Sequence, residues 1–197
     1  MLLRAPGGSG SARLHDGRII EDEPNKTWAT DGKKFFTQKE GWCWFFGVID
    51  HFNDEILNWH ISKSGDRFEV MRPVADAVIS IFGSFVAKIT QGLRLRTDCG
   101  SQYKSDYFRK ETSYVDIEKS YTFARSPESN GIIERFHRTL QEQVFAVNQF
   151  ANLDEAHRAI GKFIKDYNDL WILHRSGGKN PKEMRMEYEN NKLKKCA

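Results

Sequence analysis

Long apolar runs are missing from this sequence. The longest is Trp42 to Ile49, far short of the roughly 20 apolar residues that span a bilayer as a helix. The first eleven residues carry one Arg and a Gly/Ser-rich stretch, with no apolar core of signal-peptide length. Neither export nor a membrane span is expected. Cysteine is scarce as well: Cys43, Cys99 and Cys196 are odd in number and far apart, which leaves no paired spacing for a zinc site or a disulfide framework. A reducing cytoplasm suits such a chain. Excess charge is also absent, with 30 Lys and Arg against 27 Asp and Glu and a net charge of +3, so bulk charge gives no argument for a nucleic-acid partner. Such a partner has to be argued from where particular residues fall. No internal repeat is present.

What is there is enough for one ordinary domain: 197 residues, 39% of them hydrophobic. Residues 1–26 are Gly, Ser, Arg and acidic residues with little periodicity and read as a linker or a truncated upstream segment. Residues 27–176 are expected to hold the core, and 177–197 a C-terminal tail. Three runs rich in Trp, Phe, Val and Thr predict consecutive strands: Thr27 to Phe36, Gly41 to Asp50 and Ile56 to Ser62. The unbroken Trp42-Cys43-Trp44-Phe45-Phe46 predicts a strand buried on both faces, hence helices on both sides of the sheet. Met71, Val74, Val78, Ile81, Phe82 and Phe85 recur at helical spacing. Leu93 to Asp98 alternates as a strand, a short helix starts at Ser105, and Ile117 to Phe123 gives a fifth strand. Ile133, Phe136, Leu140, Val144 and Val147 mark a long helix. Asn152 with Glu155 resembles a capping box opening a last helix along Ala156, Ile160, Phe163, Ile164 and Tyr167. This order predicts an α/β domain with a mixed five-stranded sheet.

Three acids fall where they could meet: Asp31 inside the first strand, Asp98 at the end of the fourth, and Glu134 in the first turns of the long helix. Each alone has a structural reading, since Asp31 and Asp98 could cap turns and Glu134 suits a helix N-terminus. Their surroundings are more specific. Asp98 lies in Leu95-Arg96-Thr97-Asp98-Cys99-Gly100-Ser101-Gln102-Tyr103-Lys104-Ser105, and Glu134 in Ser126-Pro127-Glu128-Ser129-Asn130-Gly131-Ile132-Ile133-Glu134-Arg135-Phe136. With Trp28-Ala29-Thr30-Asp31 before them, these strings resemble the DDE catalytic core of insertion-sequence transposases and retroviral integrases, in the ribonuclease-H-like superfamily. Residues 99–133 separate the second and third acids, which is 35 residues, the spacing of many members. The likeness runs from about residue 27 to 184, through Val48-Ile49-Asp50, Ile56-Leu57-Asn58-Trp59-His60, Tyr167-Asn168 and Asn180-Pro181-Lys182-Glu183-Met184.

The resemblance implies a ribonuclease-H-like mixed sheet with helices on both faces, and a transposase that cleaves and joins DNA strands with two Mg²⁺ or Mn²⁺ ions. Asp31, Asp98 and Glu134 would be catalytic and would hold the metals, Asp31 bridging both ions. Carboxylates suit such ions, and a pair of ions can stabilise both the attacking and the leaving oxygen of a phosphodiester. Arg135, Arg138, Gln141, Ser101, Gln102, Lys104 and Asn130 would contact DNA, with Gln141 standing where many relatives carry Lys. Partners implied are the element's ends and target DNA, a second copy or more on that DNA, and an upstream helix-turn-helix part; the place is the cytoplasm of a bacterium, beside the nucleoid. His137 reads as a surface residue or DNA contact, Asp50 as a turn cap, and Trp42, Trp44, Phe45 and Phe46 as sheet core. Two other readings stay open: a remnant that only binds DNA or assembles, and a nuclease of RNA–DNA hybrids with the same fold.

Overall fold

The computed structural model describes residues 21–121, 131–173 and 177–196. The three aromatic and β-branched runs form β1 (Thr27–Thr37), β2 (Gly41–Asp50) and β3 (Ile56–Ser62), an antiparallel meander in which Trp28 faces Asp50 and Trp44 faces Ser62. Helix α1 (Arg67–Phe82) follows, opened by Asp66, whose carboxylate accepts from the Phe68 and Glu69 amides, and closed by Gly83 at φ 84°. The chain then crosses to β4 (Arg94–Thr97), α2 (Asp106–Tyr114) and β5 (Glu118–Tyr121). Strand β4 runs parallel to β1 and β5 parallel to β4, giving the order β3-β2-β1-β4-β5. The predicted mixed five-stranded sheet is present, and Ser105 caps α2 as its start signal suggests. The predicted residues 122–123 of the fifth strand lie outside the described residues.

Helices cover both faces of this sheet. Alternation along β1 and β2 sends Ala29, Phe35, Cys43, Phe45 and Ile49 to one side, where Ile133, Phe136, Leu140, Ile160 and Ile164 meet them. Trp28, Phe46 and Val48 point to the other side, against Val70, Val74 and Val78 of α1 and Phe108 of α2. The first face is covered by α3 (Gly131–Leu140) and α4 (Leu153–Leu170). The side-chain oxygen of Asn152 accepts from the Glu155 amide at 3.0 Å, so the predicted cap is made.

Three expectations need correction. The long helix does not carry its apolar seam to Val147: after Leu140 it widens into one π-helical turn, Gln141–Phe145, with the Ala146 amide bonded to the Gln141 carbonyl. The extra residue rotates the seam, so Val144 is buried and Val147 is 68% exposed. The second strand is not buried on both faces throughout, because Trp42, at the hairpin end beyond the helices, is 66% exposed and pairs edge-on with exposed Phe36. Finally, α4 is not the last helix. Pro181–Cys196 form α5, opened by Asn180, whose side chain accepts from the Glu183 amide while Glu183 accepts from the Asn180 amide.

Helix α5 is latched to the turn between β2 and β3. Arg185 bonds Asp50 at 2.9 Å and also reaches Glu55. The Asn53 side chain donates to the Pro181 carbonyl at 2.8 Å, and Tyr188 packs on Phe52. Asp50 caps its turn as well, accepting from the Phe52 and Asn25 amides. It is fully buried, and burial raises its pKa against the opposing pull of Arg185.

Candidate active site

Asp31 sits in the middle of β1 and Asp98 one residue beyond β4. The parallel register pairs Ala29 with Arg96, and two more steps set Asp31 level with Asp98. The same alternation puts both on the face covered by α3. Each carboxylate is held by the chain next to it: Asp31 Oδ1 accepts from the Gly32 amide and Asp98 Oδ1 from the Gly100 amide, both at 2.8 Å. A Cβ at Gly100 would lie 2.9 Å from Asp98 Oδ1 and closer still to the Gln102 amide, so a larger residue there would displace both side chains. Burial raises the pKa of Asp98, and the neighbouring charge of Asp31 raises it further. Among the described residues neither acid pairs with a Lys or Arg.

Two further buried side chains feel these acids. Tyr103 is fully buried, and its phenol is raised well above its ordinary value by burial and by the charges of Asp31 and Asp98. It lies in the string that follows Asp98, but nothing in a lone Tyr signals that its hydroxyl turns inward. His137 is the clearer correction. It is not a surface residue: it is 7% exposed, with Nδ1 3.5 Å from Asp31 Oδ2. The spacing could have found it, because 133, 136, 137, 140 and 144 form the buried stripe of this helix.

Glu134, on the first turn of α3, is exposed, and so are Arg135 and Arg138. Arg135 lies 4.0 Å from Asp54 of the latched turn. Gln141 is half-buried and lines a groove of about 540 Å³ with Phe35, Phe145 and Phe150. Ser101 and Lys104 are exposed and Gln102 half-buried, in the turn between Asp98 and α2. Asn130 lies outside the described residues. The structure brings Asp31 and Asp98 together but not Glu134 with them: among the described residues no three His, Cys, Asp or Glu side chains are gathered closely enough to hold a metal ion. The donor chemistry still fits a hard divalent cation, because two adjacent carboxylates offer only oxygen and repel each other until a cation lies between them. No described helix is long and apolar enough to cross a membrane.

Comparison with known proteins points the same way. The integrase core domain family matches residues 21–127, and a second integrase core domain family matches residues 115–181. The chain is 28% identical over 185 residues to a putative transposase InsD for insertion element IS2E of Escherichia coli (strain K12), covering 93% of this chain and 84% of that protein. It is equally similar to the Escherichia coli transposase InsD for insertion element IS2A/D/F/H/I/K, of which it spans 60%. Among solved structures, the HTLV-2 integrase catalytic core domain in complex with magnesium, in a dimeric form, superposes with a TM-score of 0.61 at 20% identity, covering 83% of this chain and 98% of that one. A simian T-cell lymphotropic virus intasome in complex with PP2A regulatory subunit B56 gamma gives 0.68 at 20% identity, with 85% and 56% covered. At that identity these two show the ribonuclease-H-like fold alone.

Proposed function

Since the chain belongs to the integrase core domain family, we propose that it is the catalytic core of an insertion-sequence transposase, a polynucleotidyl transferase that cleaves and joins DNA strands with two divalent ions. The observation that carries this reading is the Asp31–Asp98 pair: two carboxylates from neighbouring parallel strands, on one face, with no Lys or Arg of the described residues in an ion pair with either. Asp31, Asp98 and Glu134 would hold Mg²⁺ or Mn²⁺, which when bound would stabilise charge on the attacking and leaving oxygens. Glu134 would come in from the exposed first turn of α3 when metal and DNA are present. The Gly32 and Gly100 amides keep the two aspartates turned toward a common space, and the exposed Arg138 would bind phosphate beside it. Gln141, Ser101, Gln102, Lys104 and Asn130 would extend that contact.

Partners proposed on the same basis are the element's ends and target DNA, with two or more copies acting together in the bacterial cytoplasm. An upstream helix-turn-helix part would read the terminal repeats, in keeping with relatives longer than this chain. The test is strand release from a branched DNA that mimics the joined product, in Mn²⁺, by the parent and by Asp98→Asn. Release by the parent alone is expected. No release by either, with Mn²⁺ still bound, would replace the enzyme by a folded remnant; cleavage confined to RNA–DNA hybrid would make it a nuclease.

A further inference from the structure

His137 is a polar ring placed where an apolar one would pack as well. It is buried in the stripe of α3 that meets the sheet, edge-on to Phe45 at 5.9 Å between ring centres and tilted against Phe136 at 6.1 Å. Its Nε2 is buried without a hydrogen-bond partner among the described residues. Such a group costs free energy unless something else offsets it. The ring's other nitrogen does have a polar neighbour, for Nδ1 faces Asp31 Oδ2 at 3.5 Å. That is longer than a made N–H···O bond of about 2.7–3.2 Å, and within ion-pair reach. An ionised carboxylate only accepts, so for the two groups to bond Nδ1 has to carry the proton.

We propose that His137 is a positioning residue for Asp31, donating from Nδ1 to Oδ2 and so fixing, with the Gly32 amide on Oδ1, the direction in which the carboxylate presents its free lone pairs. A carboxylate has about four acceptor sites. The amide takes one on Oδ1 and the imidazole one on Oδ2. One site on each oxygen is left free, which is what a group shared between two cations would use. A backing donor of this kind is worth about 10–100-fold in metal affinity where it has been removed from other metal sites. The inference rests on the metal-dependent reading given above.

Two measurements on the full chain test it. The first is Mn²⁺ affinity without DNA, from the loss of the free-ion paramagnetic resonance signal, for the parent, His137→Phe and His137→Asn. Phenylalanine matches the ring's shape among Phe45 and Phe136, so the fold is expected to hold; asparagine places an amide nitrogen near the position of Nδ1. Affinity falling about 10-fold or more in the Phe variant and staying within about threefold of the parent in the Asn variant is the expected result. Equal affinity in all three overturns the inference while leaving the metal reading intact. No Mn²⁺ bound by the parent overturns the metal reading and the inference with it. The second is the ring's tautomer, from ¹⁵N shifts of labelled histidine. The Nδ1–H form is expected at His137, changing in Asp31→Asn; the Nε2–H form overturns the inference whether or not metal binds.

Discussion

Two pairs of acids lie along one sheet, and the protein treats them in opposite ways. Asp50 and Glu55 flank the β2–β3 turn and receive a guanidinium from inside the chain, Arg185 of α5, which touches both. Asp31 and Asp98 lie across the sheet on β1 and beyond β4, held by backbone amides and backed by a histidine, with no Lys or Arg of the described residues paired to either. Asp31 faces Gly47 and Asp50 faces Trp28, so the two environments are only three residues apart along the strands, about 10 Å. Carboxylates supplied with an internal cation make a latch. Carboxylates left without one, and already repelling each other, are, on the proposed function, the place for a cation from solution.

The sharpest way to break this comparison is to remove one charge from each pair, an acid from the first and the cation from the latch. Asp98→Asn keeps the side chain's shape and removes a charge that burial and Asp31 both disfavour. The metal-free protein is therefore expected to melt no lower than the parent. Strand release is expected to fall about 10³-fold or more, since charge stabilisation at a metal site is worth several kcal/mol. Melting by circular dichroism without added metal, beside the branched-DNA assay, reads both effects. A variant that loses stability and keeps activity would exchange the roles assigned to the two pairs.

The matching change in the latch is Arg185→Ala, which leaves Asp50 fully buried and without its cation. Breaking a buried pair from one side costs about 3–5 kcal/mol, to be read from urea unfolding. The pH dependence follows from the raised pKa of Asp50. Burial already lifts it, and Arg185 is the leading influence that lowers it, so the variant's value in the folded protein moves higher still. An acid with a raised folded value favours the folded state below its unfolded value, and that support is lost as pH rises through the folded value. Arg185→Ala should thus recover part of its lost stability as the solution is made acidic. A deficit independent of pH would mean that Asp50 is not what Arg185 compensates.

The contrast between the pairs is only half legible in the sequence. Strand alternation places Asp31, and the end of a strand places Asp98, because both rest on local periodicity and on strings spanning fewer than twelve residues. The latch cannot be read so, since Asp50 and Arg185 are 135 positions apart and α5 has too few apolar residues to announce a buried face; of its described side chains Pro181 alone is buried. His137 is legible and easily misread: its number fits the buried stripe, but a histidine there looks out of place until Asp31 is seen against it. Val147 escapes because the π-helical turn shifts the seam after Leu140 without any Pro or Gly to signal it.

The smallest expected effects come from Arg135 and Arg138, neighbours on α3 that fall on different sides of the comparison. Arg135 lies 4.0 Å from Asp54, on the latched turn, a pair at the limit of contact whose Arg is exposed and whose Asp is buried, and at that length worth no more than about 1 kcal/mol. Arg138 is exposed one turn along from Glu134, where a phosphate beside the acids would pass. For Arg138→Ala the slope of log affinity for duplex DNA against log salt should become shallower by about 0.9, the share of a single neutralised phosphate. Arg135→Ala should leave the slope closer to the parent's and lower unfolding free energy by less than about 1 kcal/mol. Equal slopes for the two variants would place Arg135 with the DNA-facing acids, and the line between latch and active site would then have to be drawn through Asp54 instead of beside it.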